Sequence, residues 1–72
     1  IGPLRKKLTP RQLEILNLLA EGNSIMQISK ILNLSIPTID KHLKLARSNL
    51  DVSTSAQAVS KALAEQMLFN SS

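Results

Sequence analysis

The chain has 72 residues with a formal net charge of +4, no cysteine and a single aromatic residue, Phe69. This length predicts one small domain with one core, and the absence of cysteine excludes disulfides and thiolate metal sites. No apolar run reaches the roughly 20 residues of a membrane span, no signal-peptide pattern is present, and the basic excess favours an anionic partner.

Residues 1–8 are interpreted as a basic linker. Gly2 and Pro3 disfavour regular structure, and a short charge run follows, formed by Arg5, Lys6 and Lys7. A solvated tail is preferred over a phosphate-binding segment for such a run. Because the chain begins with Ile1 rather than Met, we expect it to be a piece of a larger protein.

The first helix is predicted over residues 10–21. Thr9 is the expected N-cap, Pro10 fits the first helical position, and Gln12 completes a capping box. Apolar residues at helical spacing indicate a face turned to a core; they are Leu13, Ile15, Leu16, Leu19 and Ala20. Gly22 is expected to end the helix in a left-handed conformation.

The second helix is predicted over residues 25–32. Ser24 and Gln27 form another capping box. The apolar face consists of Ile25, Ile28 and Leu32, with Ile31 beside it. Asn33, which tolerates the left-handed region, is expected to end the helix.

The third helix is predicted over residues 36–50. Ser35 is the expected N-cap, and Pro37 is tolerated only within the first turn, which fixes the start of the helix. One apolar stripe at helical spacing follows, the strongest periodic signal in the chain; it comprises Ile36, Ile39, Leu43, Ala46 and Leu50.

The fourth helix is predicted over residues 55–67, after a short connection from Asp51 to Ser53. Thr54 and Gln57 form a third capping box. Its core face is made of small residues: Ala58, Val59 and Ala62. Residues 70–72 are expected to fray. The predicted fold is therefore all-α, with one four-helix domain over residues 9–69.

The second and third helices are joined by about three residues, from Asn33 to Ser35, as a helix-turn-helix requires. The predicted outer face of the third helix then carries Pro37, Asp40, Lys41, Lys44, Arg47 and Ser48. An α-helix fits the major groove, where Lys41 and Lys44 can donate to guanine O6 and N7. Asp40 can accept a hydrogen bond from cytosine N4. These three residues are the candidate base contacts.

Three further residues are candidate phosphate contacts. Arg47 lies farther along the third helix, and Thr38 lies in its first turn, where free amides and a hydroxyl can bind a phosphate together. Ser24 offers the same arrangement at the start of the second helix. The bland alternative is an ordinary solvated amphipathic helix; the short turn and the capped helices before it favour DNA binding.

The sequence offers no catalytic, cofactor or metal site. His42 is the single histidine, and it is interpreted as a packed, hydrogen-bonded structural residue, with a phosphate contact as the alternative. No cysteine or second histidine could complete a metal site around it. Asp40 and His42 stand two apart on a helix and cannot face each other. No phosphate-binding loop or activated-nucleophile pattern is present.

These residues, taken in order, resemble the LuxR-type helix-turn-helix domain. The resemblance covers about residues 8–68 and depends on the order and spacing of several short blocks. The blocks are Leu8–Arg11, Glu14–Leu16, Gly22, Ile28–Ser29, Leu32, Leu34–Ser35, Thr38–Ile39, His42, Leu50, Val52 and Gln57–Val59.

The resemblance implies a sequence-specific DNA-binding domain, normally the C-terminal output part of a cytoplasmic bacterial transcription regulator at the nucleoid. It implies base or backbone contacts by Thr38, Asp40, Lys41 and Lys44. It also implies a sensing domain elsewhere in the regulator. Similarity of residues 46–63 to the quorum-sensing branch favours an acyl-homoserine-lactone-binding domain over a receiver domain. RNA polymerase is a further candidate partner.

Members of the family commonly dimerise through the fourth helix. Here a second stripe on the predicted fourth helix could form that contact, and it comprises Ala56, Ser60, Leu63 and Met67. The alternative is that Leu63 and Met67 complete the monomer core.

Departures from the family pattern raise a second hypothesis. The family usually has an acidic residue where Gln12 stands, basic residues at the positions of Asn49 and Ser55, and glycine in place of Asp51. The lost positive charge, with Asp40 on the outer face, predicts weak binding by the isolated domain. It also raises an alternative: a protein-interaction module that kept the helix-turn-helix fold and lost DNA binding.

Overall fold

The computed structural model describes residues 8–65. This part of the chain contains four helices and no strand: α1 Pro10–Ala20, α2 Ile25–Leu32, α3 Ile36–Leu50 and α4 Ser55–Ala64. The predicted all-α, four-helix fold is confirmed. None of these helices is long and apolar enough to span a bilayer.

Short polar side chains start each helix, as the sequence predicts. At α1 the Thr9 hydroxyl accepts from the Gln12 amide at 3.1 Å, and the Gln12 side chain accepts from the Thr9 amide at 3.1 Å. The same reciprocal capping box begins α2 and α4. Each such cap is worth about 0.5–2 kcal/mol, so four short helices gain defined starting points.

Three residues with positive φ end the first three helices. Gly22 has φ 99°, Asn33 has φ 55° and Asp51 has φ 58°. The first two confirm the predicted ends of α1 and α2. Asp51 occupies the left-handed position at the end of α3, a conformation that glycine adopts most readily. A residue with a β-carbon costs roughly 1–2 kcal/mol there, although Asn and Asp tolerate the conformation best.

The core lies between α1, α3 and the smaller helices. The largest fully buried side chains are Ile15, Leu16, Ile28, Ile39 and Leu50. Leu8 also belongs to the core cluster, although it was expected to end the basic linker. The predicted α3 stripe is wrong at one residue: Ile36 is 40% exposed. Ile36 is the first residue of α3 and lies one turn before Ile39, the first buried residue of the stripe.

The fourth helix is shorter than predicted. It ends at Ala64, and Glu65 follows with a φ of −94° and a ψ of 9°. Its expected core face is confirmed, because Ala58 and Ala62 are fully buried and Val59 packs beside them. The helix ends two residues after its last fully buried position. The predicted extension to Met67, like the tails 1–7 and 70–72, lies outside the described residues.

Candidate nucleic-acid interface

Two hydrogen bonds between Ser29 of α2 and Leu34 close the turn between α2 and α3. The Leu34 amide donates to the Ser29 carbonyl at 3.0 Å, and the Ser29 hydroxyl donates to the Leu34 carbonyl. Asn33 adopts the left-handed conformation that reverses the chain. These contacts fix the direction in which α3 leaves the turn.

The outer surface of α3 is charged and open to solvent. Ile39, Leu43, Ala46 and Leu50 are at most 2% exposed on the inner side of the helix. Asp40, Lys41, Lys44 and Ser48 are all exposed. Lys41, Lys44 and Ser48 lie opposite the buried stripe at about 100° per residue. The structure therefore meets the geometric requirement of the predicted base contacts, while the contacts themselves stay a prediction.

Asp40 and Arg47 lie on one flank of this surface. They are seven residues apart and thus on nearly the same side of the helix. The Arg47 guanidinium donates to the Ser55 hydroxyl at 3.1 Å and is half-buried. A guanidinium has five N–H donors, so this bond leaves donors for a phosphate at the edge of the surface.

The two candidate phosphate contacts at helix starts differ in their exposure and in their hydrogen-bond partners. Thr38 is half-buried, and its hydroxyl lies 2.8 Å from that of the N-cap Ser35. Ser24 is exposed, and its hydroxyl oxygen accepts from the Gln27 amide at 3.1 Å. In each case the hydroxyl lies at a helix start, where the first amides have no carbonyl partner within the helix. Helix starts of this kind bind anions.

His42 does not behave entirely as the sequence suggests. It is half-buried beside the core stripe, which fits a packed structural residue. However, its ring makes no hydrogen bond to any residue between 8 and 65, so the predicted hydrogen bond is not found. Its position, 100° from Leu43 and Lys41 alike by helix geometry, puts it between the two faces of α3.

The residues of the predicted dimer stripe on α4 differ in their exposure. Ala56 and Ser60 are exposed, whereas Leu63 is half-buried and packs against the core cluster. Met67 lies outside the described residues. Ala56 also lines an open groove of about 420 Å³ between the end of α1 and the start of α4. The free part of the stripe is thus its N-terminal half.

Sequence reasoning missed one pair that joins α1 to α3. The Asn49 side-chain amide donates to the Gln12 carbonyl oxygen at 3.3 Å, and Gln12 is only 3% exposed. The available signal was the pairing of two departures from the family pattern, an acid lost at one position and a base lost at the other. Asn49 therefore faces α1, and its neutral side chain pairs inside the fold.

A second missed contact joins α3 to α4. The Lys61 ammonium donates to the Leu50 carbonyl at 2.7 Å, one of the carbonyls that the end of α3 leaves without a helical partner. A cation there also interacts favourably with the helix dipole. With the Arg47–Ser55 bond, this contact holds the C-terminal half of α3 in place.

This fold and surface define a helix-turn-helix DNA-binding domain. The chain belongs to the luxR family of bacterial regulatory proteins, whose family model matches residues 6–62. The family supplies DNA-binding domains of transcriptional regulators, and that is the class of this domain.

Individual relatives agree with this assignment. The transcriptional activator protein CarR of Pectobacterium carotovorum subsp. carotovorum is 39% identical over 64 residues, which are 89% of this chain and 26% of CarR. The quorum sensing-dependent regulator RpaR of Rhodopseudomonas palustris is 42% identical over 59 residues, 82% of this chain and 24% of RpaR. The chain thus spans about a quarter of these curated relatives.

A solved structure with the same fold is the response regulator ChrA of a heme-sensing two-component system. It superposes with a TM-score of 0.83 at 31% identity, covering 93% of this chain and 33% of ChrA. The similar proteins therefore include both a quorum-sensing regulator and a response regulator.

Proposed function

We propose that α3 enters the DNA major groove and reads bases through Asp40, Lys41 and Lys44. The single observation that carries this assignment is the exposure of both lysines on the side of α3 opposite its buried stripe. Ser24, Thr38 and Arg47 contact phosphates at the rim and set the register of the helix. The apolar stripe holds the helix rigidly while its outer side chains face the bases.

We further propose that the full regulator works as a homodimer. Two recognition helices then address half-sites about 34 Å apart, with Ala56, Ser60, Leu63 and Met67 at the subunit contact. The similarity to RpaR, a quorum sensing-dependent regulator, supports a regulator of that type, and an acyl-homoserine-lactone-binding domain is proposed for its sensing part. Action at the bacterial nucleoid in the cytoplasm, with RNA polymerase as a partner, completes the proposal.

Selection of duplexes from a random pool, followed by affinity measurements, tests the base contacts. We expect the variants Lys41→Ala and Lys44→Ala each to bind the selected site about 5- to 150-fold more weakly, a loss of roughly 1–3 kcal/mol, with relaxed specificity at one position. Lys30→Ala removes the same charge from α2 and is the matched control. Equal losses for all three variants on every sequence would show that α3 does not read bases.

The subunit contact has its own test. Ser60→Glu places a charge on the exposed part of the α4 stripe without touching the core, so it is a cleaner probe than Leu63→Glu. The parent is expected to sediment on a two-half-site duplex as a dimer and the variant as a monomer. A parent and variant that both occupy the duplex as dimers would exclude this face.

The alternative of a protein-interaction module without DNA binding is weakened at two of its three positions by the contacts in this structure. It depended on the charge missing at Asn49, Asp51 and Ser55. Asn49 pairs with Gln12, and Ser55 accepts a hydrogen bond from Arg47.

The salt dependence of binding separates the two functions. Affinity for DNA should fall by about 0.9 log unit per phosphate contact for each decade of salt. Absence of binding to any duplex at low salt would favour the alternative.

A further inference from the structure

The outer surface of α3 contains one large apolar side chain that does not pack into the core. Leu45 is 47% exposed, whereas the inward apolar residues of α3 from Ile39 to Leu50 are at most 2% exposed. Leu45 is also absent from the partly buried residues that pack against the core cluster. Its side chain therefore contributes little to holding α3 in the fold.

Helix geometry puts this side chain among the groove-facing residues. Leu45 stands four residues after Lys41, about 40° around the helix and about 6 Å along it. It stands three residues before Ser48, about 60° away on the same outer side. All three are exposed. A helix that presents Lys41 and Lys44 to base edges brings Leu45 to the groove as well.

The major groove offers one apolar feature to such a side chain, the C5-methyl group of thymine. Other groove-edge groups are hydrogen-bond donors or acceptors, which a leucine leaves unpaired at a cost. We propose that Leu45 is a specificity-determining residue that contacts a thymine methyl. The spacing of about 6 Å from Lys41 corresponds to about two base pairs at 3.4 Å each.

This inference rests on the proposed function, because Leu45 reaches a base only if α3 enters the major groove. It adds a preference that the charged residues cannot supply. Lys41 and Lys44 favour guanine, and Leu45 adds a requirement for thymine about two base pairs from the base that Lys41 contacts.

The test replaces one thymine of the selected duplex by deoxyuridine, which removes only the methyl group. The parent chain is expected to bind the uracil duplex roughly fourfold more weakly, the effect of one methyl group left out of an apolar contact. Leu45→Ala is expected to bind the thymine and uracil duplexes equally. Since alanine is a strong helix former and the site is exposed, this variant should keep the parental helix content by circular dichroism.

Ile31→Ala is the matched control. Ile31 is 55% exposed on α2, and its variant should keep the fourfold preference for thymine. A parent that binds thymine and uracil duplexes equally at every position would overturn the role of Leu45 while leaving α3 in the groove. A pool that enriches no sequence would overturn the proposed function and this inference together.

Discussion

The third and fourth helices are held in the molecule by different means. On α3, the branched side chains of Ile39, Leu43 and Leu50 are buried almost completely. On α4, only Ala58 and Ala62 are fully buried, and polar bonds from Arg47 and Lys61 join the two helices. Large buried side chains fix α3, whereas α4 relies on close approach and on hydrogen bonds at its ends.

This difference separates two kinds of surface. The outer face of α3 belongs to a helix that cannot move without opening the core, which suits a surface that must meet base edges with fixed geometry. The outer face of α4 belongs to a helix with a smaller share of the core. A face of that kind suits a contact between subunits, where small side chains permit close approach.

The largest effect is expected from truncating the α3 stripe. Leu43→Ala removes a side chain that is 2% exposed and should cost about 2–5 kcal/mol. A single core in a domain this small rarely supplies more than about 3–5 kcal/mol, so the variant should be largely unfolded at 25 °C. Urea unfolding followed by circular dichroism measures the loss.

The control for this variant is Leu45→Ala, the same substitution two residues away on the exposed side. It should stay within about 0.5 kcal/mol of the parent. Equal losses for the two variants would mean that α3 has no distinct buried face.

A smaller effect is expected at the bond between the two helices. Lys61→Met keeps the length of the side chain and removes the donor to the Leu50 carbonyl. The loss should be about 1–2 kcal/mol, because the bond is charge-assisted and half-buried. Lys44→Met removes an exposed charge from α3 and should leave the free energy of unfolding nearly unchanged. If both variants were as stable as the parent, α4 would not anchor the end of α3.

The smallest effect is expected at the junction of the two helices, and it has the opposite sign. Asp51 has a φ of 58°. Asp51→Gly should remove the steric strain that the β-carbon causes in this conformation, and so raise the free energy of unfolding by about 0.5–1 kcal/mol. The melting temperature would rise by about 2–8 °C for a domain of this size. Asp40→Gly, within α3, should instead lower stability by about 0.3 kcal/mol, the difference in helix propensity between Asp and Gly. A lower melting temperature for Asp51→Gly would contradict this account of the junction.

The sequence predicted those features whose signals lie within one element. Capping boxes such as Thr9 with Gln12 span three residues, and the α3 stripe repeats every three or four. Such local patterns located the helix starts and the outer lysines. They were wrong about the burial of Ile36 and about the length of α4, which ends at Ala64. Periodicity within one helix does not tell how much of that helix its neighbours cover.

Contacts between elements could not be predicted in the same way. The Gln12–Asn49 bond joins residues 37 apart in the chain, and the Lys61–Leu50 bond joins residues 11 apart. Both depend on how α1 and α4 lie across α3, which no local pattern specifies. For this reason the neutral side chain of Asn49 was interpreted only as a loss of charge toward DNA, whereas it bonds to Gln12 on α1.

The most direct measurement of the central claim is methylation interference on the duplex selected from a random pool. Methylation of guanine N7 blocks the major-groove acceptor that Lys41 and Lys44 are proposed to contact. Methylation at a guanine of the half-site should strongly weaken binding of the parent, and Lys44→Ala or Lys41→Ala should lose that sensitivity at one guanine each. Binding that tolerates N7 methylation at every position would contradict the placement of the α3 lysines in the major groove.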